Sequence, residues 1–179
     1  MLMKFFLSFV LVFSVCRVSH GQQIIEDLGH YTQLGLPLSA LGISLIKGDK
    51  SGTIQLVKSF AIETAVVILL KKGIDRTRPN GGRFSFPSGH TAISFMSSTY
   101  LWKRYGWEYG LPSTILAAFV GYSRFGIDEP VHFFSDVVAG SIIGIGSSWI
   151  FTKRKESKVH VDVIGDMSYM ELKLKVNIN

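Results

Sequence analysis

Two histidines stand among the polar residues that interrupt an otherwise apolar sequence, and both have neighbours suited to phosphate chemistry. His90 ends the loop Phe84–His90, in which Pro-Ser-Gly predicts a turn and the start of a helix. An imidazole at that position can donate a proton to a leaving alkoxide. His132 lies four residues before Asp136, so the two share one face of a helix. The carboxylate would fix the imidazole tautomer and leave the other nitrogen free to attack phosphorus.

Cations that suit a phosphate group accompany both histidines. Lys71 and Arg78 lie at the end of an apolar segment and in the loop after it, and Arg124 precedes the second histidine. Arginine offers a planar fork for bidentate contact and lysine supplies a point charge, so such residues can neutralise the charge that builds at phosphorus. Ser88 and the Gly89 N–H add donors at a predicted helix N-terminus. The three clusters together predict one phosphate-handling site.

Each cluster taken alone also has a structural interpretation. Basic residues between 71 and 83 can anchor a helix end at a membrane interface. Ser88 can be a helix N-cap, His90 can make a structural hydrogen bond at a helix start, and a His–Asp pair is common on protein surfaces. The functional interpretation therefore depends on the three clusters meeting in space.

Length and composition limit the classes of protein to consider. A chain of 179 residues predicts one domain. Hydrophobic residues make up 47% and charged residues 18%, with a mean hydropathy of +0.30, which is more apolar than an ordinary soluble domain. The net charge of +6 favours an anionic partner, but it is concentrated in loops, so nucleic acid is not expected. The single cysteine, Cys16, excludes an intrachain disulfide.

Five apolar segments follow a polar stretch at residues 22–33. None reaches the roughly 20 apolar residues of a comfortable membrane span, but several are rich in Gly, Ser and Ala, which suits close helix packing in a bilayer. We expect an all-α bundle of about five to six largely apolar, transmembrane helices. The five segments are Leu34–Ile46, Thr53–Leu70, Thr91–Tyr105, Leu111–Phe125 and Phe134–Phe151.

The two ends of the chain differ from this middle region, residues 22–155. Residues 1–21 predict a signal peptide, because Lys4 precedes a short apolar run over Phe5–Val15; an uncleaved N-terminal anchor is the alternative. In the tail, residues 156–179, apolar and polar residues alternate on both sides of Gly165-Asp166, which predicts a small β-hairpin.

Charge placement predicts an orientation in the membrane. If the loops 71–90 and 124–132 lie on one side, three short basic segments lie together on the other side, as is typical of cytoplasmic loops. The candidate site would then face the periplasm of a bacterial inner membrane. The three basic segments are 47–50, 103–104 and 153–155.

The three clusters together resemble the type 2 phosphatidic acid phosphatase superfamily, which also includes bacterial acid phosphatases and vanadium haloperoxidases. Its first motif is a lysine, six residues and Arg-Pro, matched by Lys71 through Arg78-Pro79. Its second is Pro-Ser-Gly-His, matched by residues 87–90. Its third is Ser-Arg, a short gap, His, three residues and Asp, matched by Ser123, Arg124, His132 and Asp136. The gap after Arg124 holds seven residues where the common pattern has five.

The resemblance implies a role for each matched residue. His132 would be the nucleophile that forms a phosphohistidine, oriented by Asp136. His90 would protonate the leaving alcohol and later activate water. No metal or other cofactor is implied, and no carboxylate cluster resembles a two-metal site. The phosphoryl oxygens would be held by Lys71, Arg78, Ser88, Gly89 and Arg124.

The longer gap contains Asp128-Glu129-Pro130, which predicts an inserted turn. A loop absorbs two residues at small cost. Its two carboxylates would disfavour anionic substrates unless a cation or an amine headgroup accompanies them.

The resemblance implies a phosphatase acting on a phosphate monoester or pyrophosphate of a membrane lipid. Lipid A, undecaprenyl pyrophosphate, phosphatidylglycerol phosphate and phosphatidic acid are the candidate substrates, and the oligomeric state stays open. A soluble periplasmic acid phosphatase of broad specificity is a second reading, and a vanadium haloperoxidase is disfavoured by the short chain. A membrane protein that only binds anionic lipid through its basic loops is the alternative of another class.

Overall fold

A computed structural model describes residues 21–126, 130–155, 159–166 and 169–176. These residues form five helices followed by two strands. The helices are α1 (Gly21–Ile46), α2 (Lys50–Ile74), α3 (Gly89–Tyr105), α4 (Trp107–Phe125) and α5 (Phe134–Phe151), and the strands are β1 (Val159–Asp166) and β2 (Tyr169–Val176).

The helical bundle predicted from the sequence is confirmed for the part of the chain that the structure describes. Five helices lie there, and the Phe5–Val15 segment, where a sixth was considered, lies outside the described residues. α3 packs against all four other helices. Two helices, α2 and α5, are long and apolar enough to cross a membrane.

The helix α1 begins earlier than the apolar pattern indicates. The polar stretch 22–33, to which the sequence assigned no element, continues the helix toward its N-terminus. It packs closely on α4, because a Cβ added at Gly29 would lie 2.0 Å from Ser123 Oγ. This close approach brings the polar first half of α1 to the end of the bundle that carries the phosphate motifs.

Two glycines on α5 set the contact with α3. A Cβ added at Gly140 would lie 2.4 Å from the carbonyl oxygen of Ser88, and one at Gly144 would lie 2.1 Å from that of Ala92. Small residues spaced four apart allow helix backbones to approach this closely. The start of α3 is thereby held against the start of α5, which places the second and third motifs side by side.

A buried ion pair closes the opposite end of the bundle. Asp49 accepts hydrogen bonds from Arg104 Nε at 2.7 Å and Nη2 at 2.6 Å, and both residues are buried. The Arg104 guanidinium also donates to the Lys153 carbonyl. The guanidinium lowers the pKa of the Asp49 carboxyl well below its usual range. The three basic segments expected on one side of the membrane therefore do meet at one end of the helical bundle. Arg104, however, is buried there in an ion pair with Asp49.

The two strands of the tail pair antiparallel, from Val159 opposite Val176 to Asp166 opposite Tyr169. Gly165 and Asp166, around which the sequence pattern centres, both belong to β1. The residues that connect the strands, 167–168, lie outside the described part of the chain.

Candidate active site

His132 and Asp136 meet at the start of α5 with a third residue between them. His132 Nδ1 lies 3.5 Å from Asp136 Oδ2, longer than a good hydrogen bond. The hydroxyl of Ser85 donates to the same carboxylate oxygen and lies 3.5 Å from His132 Nδ1. All three side chains are buried. Because Nδ1 faces this polar group, Nε2 is the imidazole nitrogen left for the cavity that His132 lines.

Asp136 is held in place by several donors besides Ser85. Arg76 Nη1 donates to Asp136 Oδ1 at 2.9 Å, and the Phe133 N–H donates to Oδ2 at 3.1 Å. The Arg76 guanidinium also stacks over the Phe133 ring, 4.0 Å from its centroid. A carboxylate with this many charge-assisted and backbone donors keeps one orientation.

The segment between Arg124 and His132 is closed by a backbone hydrogen bond. The His132 N–H donates to the Arg124 carbonyl oxygen at 3.0 Å, so the two residues are adjacent despite the seven residues between them. The longer gap therefore leaves Arg124 beside the site. Asp128 and Glu129, expected to bring negative charge, lie outside the described residues.

His90 lies in the first turn of α3 and contacts a histidine from α1. His30 Nδ1 is 3.2 Å from His90 Nε2, and their ring centroids are 5.4 Å apart. The backbone N–H of Ser88 donates to the Asp136 carbonyl at 3.0 Å, which joins the start of α3 to the start of α5. His90 and His132 are consequently brought to the walls of the same two cavities.

The three predicted cations also reach these cavities, each held by a backbone oxygen. Lys71 Nζ donates to the Phe84 carbonyl at 2.7 Å, and Arg78 Nε donates to the Arg83 carbonyl at 3.1 Å. The Arg124 side chain is buried and donates to the Glu26 carbonyl of α1 at 2.6 Å. The positive charges are thus oriented before any anion binds, which favours stabilisation of charge in a transition state.

Two cavities share Arg78, His90 and His132. The smaller, of about 270 Å³, is also lined by Arg124 and Val131 and by Glu26, Asp27 and His30 of α1. The larger, of about 400 Å³, is also lined by Lys71 and Gly89 and extends along α2 as far as Phe60. A phosphate bound between the two imidazoles would therefore have room on both sides, one polar and one largely apolar.

Both imidazoles are held neutral when no anion is bound. Burial lowers the pKa of His132 to about 4, and the nearby Arg78 and Lys71 act in the same direction. Burial and the nearby Arg124 lower the pKa of His90 to about 4 as well. A neutral His132 can act as a nucleophile, whereas His90 must gain a proton before it can act as an acid.

Of the eight residues singled out in the sequence, six lie on a cavity wall. Asp136 lies directly behind His132, as the spacing predicted. Ser88 differs: its hydroxyl is buried, 3.0 Å from Thr91 Oγ1, accepts from the Thr91 N–H, and lines neither cavity. It acts as the α3 N-cap, which was its structural interpretation. The six on the walls are Lys71, Arg78, Gly89, His90, Arg124 and His132.

Sequence reasoning missed three residues with direct contacts in the site: His30, Arg76 and Ser85. Arg76 lies within the first motif and Ser85 lies two residues before the second, and a basic residue and a hydroxyl at those places gave a weak signal. His30 lies 41 residues before the first motif and carried no signal, because only the packing of α1 on α4 brings it to His90. Among the described residues, no group of three or more His, Cys, Asp and Glu side chains is arranged to hold a metal ion.

The comparisons with known proteins agree with this geometry. A family model described as the PAP2 superfamily matches residues 81–158. The chain is 28% identical over 153 residues to a lipid A 4'-phosphatase of Helicobacter pylori, covering 79% of this chain and 76% of that protein. It is also 28% identical over 142 residues to a lipid A 1-phosphatase of the same species, covering 71% and 70%. The crystal structure of Aquifex aeolicus LpxE superposes with a TM-score of 0.65 at 25% identity, covering 80% of this chain and 92% of that one.

Proposed function

We propose that this chain is a PAP2-type membrane lipid phosphatase that releases phosphate from lipid A or a related lipid-linked phosphate, because the PAP2 superfamily model matches residues 81–158 and the chain is similar to lipid A phosphatases and to LpxE. The observation that carries the proposal is the pairing of two imidazoles, His90 and His132, on the walls of shared cavities that Arg78 also lines. That arrangement supplies a nucleophile, an acid and charge neutralisation around one phosphorus atom.

The first chemical step is attack by His132 Nε2 on phosphorus. The new N–P bond forms as the ester P–O bond breaks, and His90 transfers its proton to the leaving oxygen. Asp136 and Ser85 hold Nδ1 of the nucleophile and favour the imidazolium character that develops there. The phosphoryl oxygens would be bound by Lys71, Arg78, Arg124 and the Gly89 N–H.

The second step hydrolyses the phosphohistidine. Neutral His90 takes a proton from water as the water oxygen bonds to phosphorus and the N–P bond breaks, which returns both imidazoles to their starting states. The exposed side chain of His30, in contact with His90, offers a route for proton exchange with solvent. None of these steps requires a metal ion, so activity should persist in the presence of EDTA.

The location of the site suggests how the protein sits in a bilayer. We assign residues 22–155 to the catalytic domain in the inner membrane, with the cavities facing the periplasm and residues 156–179 as a tail on the other side. The grouping of the segments around residues 47–50, 104 and 153–155 at the end opposite the cavities supports this orientation. Partition into detergent after high-salt and carbonate washing would distinguish it from a soluble periplasmic enzyme.

The direct test is phosphate release by the purified protein from a panel of lipid phosphates in detergent micelles. The panel contains lipid A, undecaprenyl pyrophosphate, phosphatidylglycerol phosphate and phosphatidic acid, with and without EDTA. We expect release from at least one lipid and much less from water-soluble monoesters. Equal turnover of soluble phosphates would favour the acid phosphatase alternative, and no release from a folded protein would contradict the proposal.

His90→Ala should reveal the proton donor through the leaving group. Without the acid, we expect kcat on a lipid phosphate to fall by about 10²–10⁴-fold. The loss on p-nitrophenyl phosphate should be at least tenfold smaller by rough estimate, because its phenolate leaves without protonation. Steady-state assays of both substrates with the wild type and the variant provide the measurement. An equal loss on both substrates would argue against general acid catalysis by His90.

The pH dependence of kcat/KM should follow the two histidines of the free protein. His132 must be neutral, and its pKa of about 4 keeps it so above that pH. His90 must be protonated, and its pKa of about 4 means that this form is lost as the pH rises. We therefore expect a maximum on the acid side of neutrality and a decline of about tenfold per pH unit above it. A profile that rises continuously to alkaline pH would contradict these assignments.

A further inference from the structure

The larger cavity contains a carboxyl group that the phosphate chemistry does not use. This cavity runs from the two imidazoles along one face of α2, where Phe60 and Ile68 supply apolar wall, and Gln33 of α1 and Ile93 of α3 complete the lining. Glu63 lies on the same wall with only 2% of its surface exposed. The cavity is therefore a groove that leads from a phosphate site to a buried acid.

Among the described residues, Glu63 has no ion-pair partner that would explain why a carboxyl group is buried at this position. The hydrogen bond recorded to its side chain comes from Thr64 Oγ1, the next residue along, at 3.1 Å. Within the described residues, no Lys, Arg or His nitrogen lies within 4.0 Å of its carboxyl oxygens. The helix that carries it is one of the two that are apolar enough to cross a membrane. An ionisable side chain in such a segment is costly and usually serves a function.

The spacing along α2 relates Glu63 to the phosphate site. Lys71 follows Glu63 by eight positions, which corresponds to about 12 Å of helix. The body of a lipid whose phosphate lies between the imidazoles would therefore pass Glu63 as it follows the groove. The partly exposed rings and branched chains of Phe60 and Ile68 suit acyl chains on the same path.

We propose that Glu63, together with Gln33, forms a subsite that accepts hydrogen bonds from hydroxyl or amide N–H groups of the substrate. The substrate class is then a phosphorylated, acylated sugar, which carries such donors close to its phosphate. A diacylglycerol phosphate carries none beyond the phosphate itself, so it cannot use the subsite. This inference rests on the proposed function and deepens it by naming the part of the lipid that is recognised.

The test compares two substrates with full-length variants in detergent micelles. We expect Glu63→Gln to lower kcat/KM for lipid A by about tenfold or more, because the amide replaces one of the two carboxyl oxygens with an NH₂ group that cannot accept a hydrogen bond. The same variant should leave kcat/KM for phosphatidic acid within about twofold of the wild type. Gln33→Leu should likewise lower the ratio of kcat/KM for lipid A to kcat/KM for phosphatidic acid. Because Gln33 is partly exposed, this substitution does not disturb a buried group.

Ser59→Ala is the matched control, since Ser59 is a buried polar residue of α2 that does not line the groove. It should leave the ratio of the two kcat/KM values unchanged. If Glu63→Gln lowered kcat/KM equally for both lipids, or for neither of them, the subsite proposal would be overturned. Wild-type release from phosphatidic acid but not from lipid A would overturn it as well, while leaving the phosphatase activity in place. Release from no lipid at all would instead remove the proposed function, and the subsite with it.

Discussion

Replacing His132 with alanine should lower kcat/KM for lipid phosphate hydrolysis by about 10⁴-fold or more, because we expect no other side chain among the described residues to take its place as the nucleophile. That loss corresponds to about 5 kcal/mol of transition-state stabilisation. His132 is buried, and its Nδ1 is directed toward Asp136 and Ser85, so its Nε2 is the nitrogen left to attack a bound phosphate. Steady-state phosphate release from lipid A in micelles measures the effect.

The covalent intermediate separates this prediction from a simple loss of binding. Wild-type protein quenched during turnover of a ³²P-labelled substrate should carry label that is acid-labile and stable to alkali, as a phosphohistidine is. His132→Ala should carry none. Lys103→Ala, at the opposite end of the bundle beside Trp149, should retain both the label and activity within about twofold. Label that persists in His132→Ala would assign the nucleophile elsewhere, and unchanged activity would support a protein that only binds lipid.

Asp136→Asn should reduce kcat by about 10³-fold or more while substrate binding changes little, because an amide can present an N–H where the imidazole needs an acceptor. The substitution also removes the charge that Arg76 Nη1 contacts at 2.9 Å. We therefore expect the wrong His132 tautomer to be favoured and the nucleophilic nitrogen to be protonated. Parallel measurement of kcat and KM detects this pattern.

Asp75→Asn is the matched control for this change. Asp75 makes an exposed ion pair with Arg83 at the end of α2, and the substitution removes the same charge with the same change of shape. Its kcat should stay within about twofold of the wild type. If Asp136→Asn mainly raised KM, the orienting role of the carboxylate would be contradicted. If the variant unfolded at the assay temperature, Ser85→Ala would serve as the second probe of the same contact.

The family and the helical bundle could be predicted because their signals are local. Lys71 to Arg78, the loop ending at His90, and His132 with Asp136 each combine residue types and a spacing that rarely arise together. The resemblance inferred from them is confirmed by the PAP2 superfamily model that matches residues 81–158, and the phosphatase activity it implied is the one named for the lipid A phosphatases that this chain resembles. Apolar segments between turn signals likewise predicted the five helices, and most of the helix ends were predicted to within a few residues.

What the sequence did not reveal depends on contacts between distant segments. His30 touches His90 only because the Gly29 position lets α1 approach Ser123 and Arg124 on α4. Ser88 matched the motif, yet its hydroxyl caps the N-terminus of α3. The free N–H groups of a buried helix N-terminus need an acceptor, and a phosphate needs a donor, so a serine at this position could serve either. A spacing pattern cannot decide between two such partners, because both satisfy it.

The backbone hydrogen bond from His132 to Arg124 has a consequence for which residues beside the smaller cavity can be changed. It ties together the two ends of a loop whose last residues include Val131, on the rim of the smaller cavity. A substitution at Val131 can then change the cavity wall while the hydrogen bond keeps Arg124 and His132 adjacent.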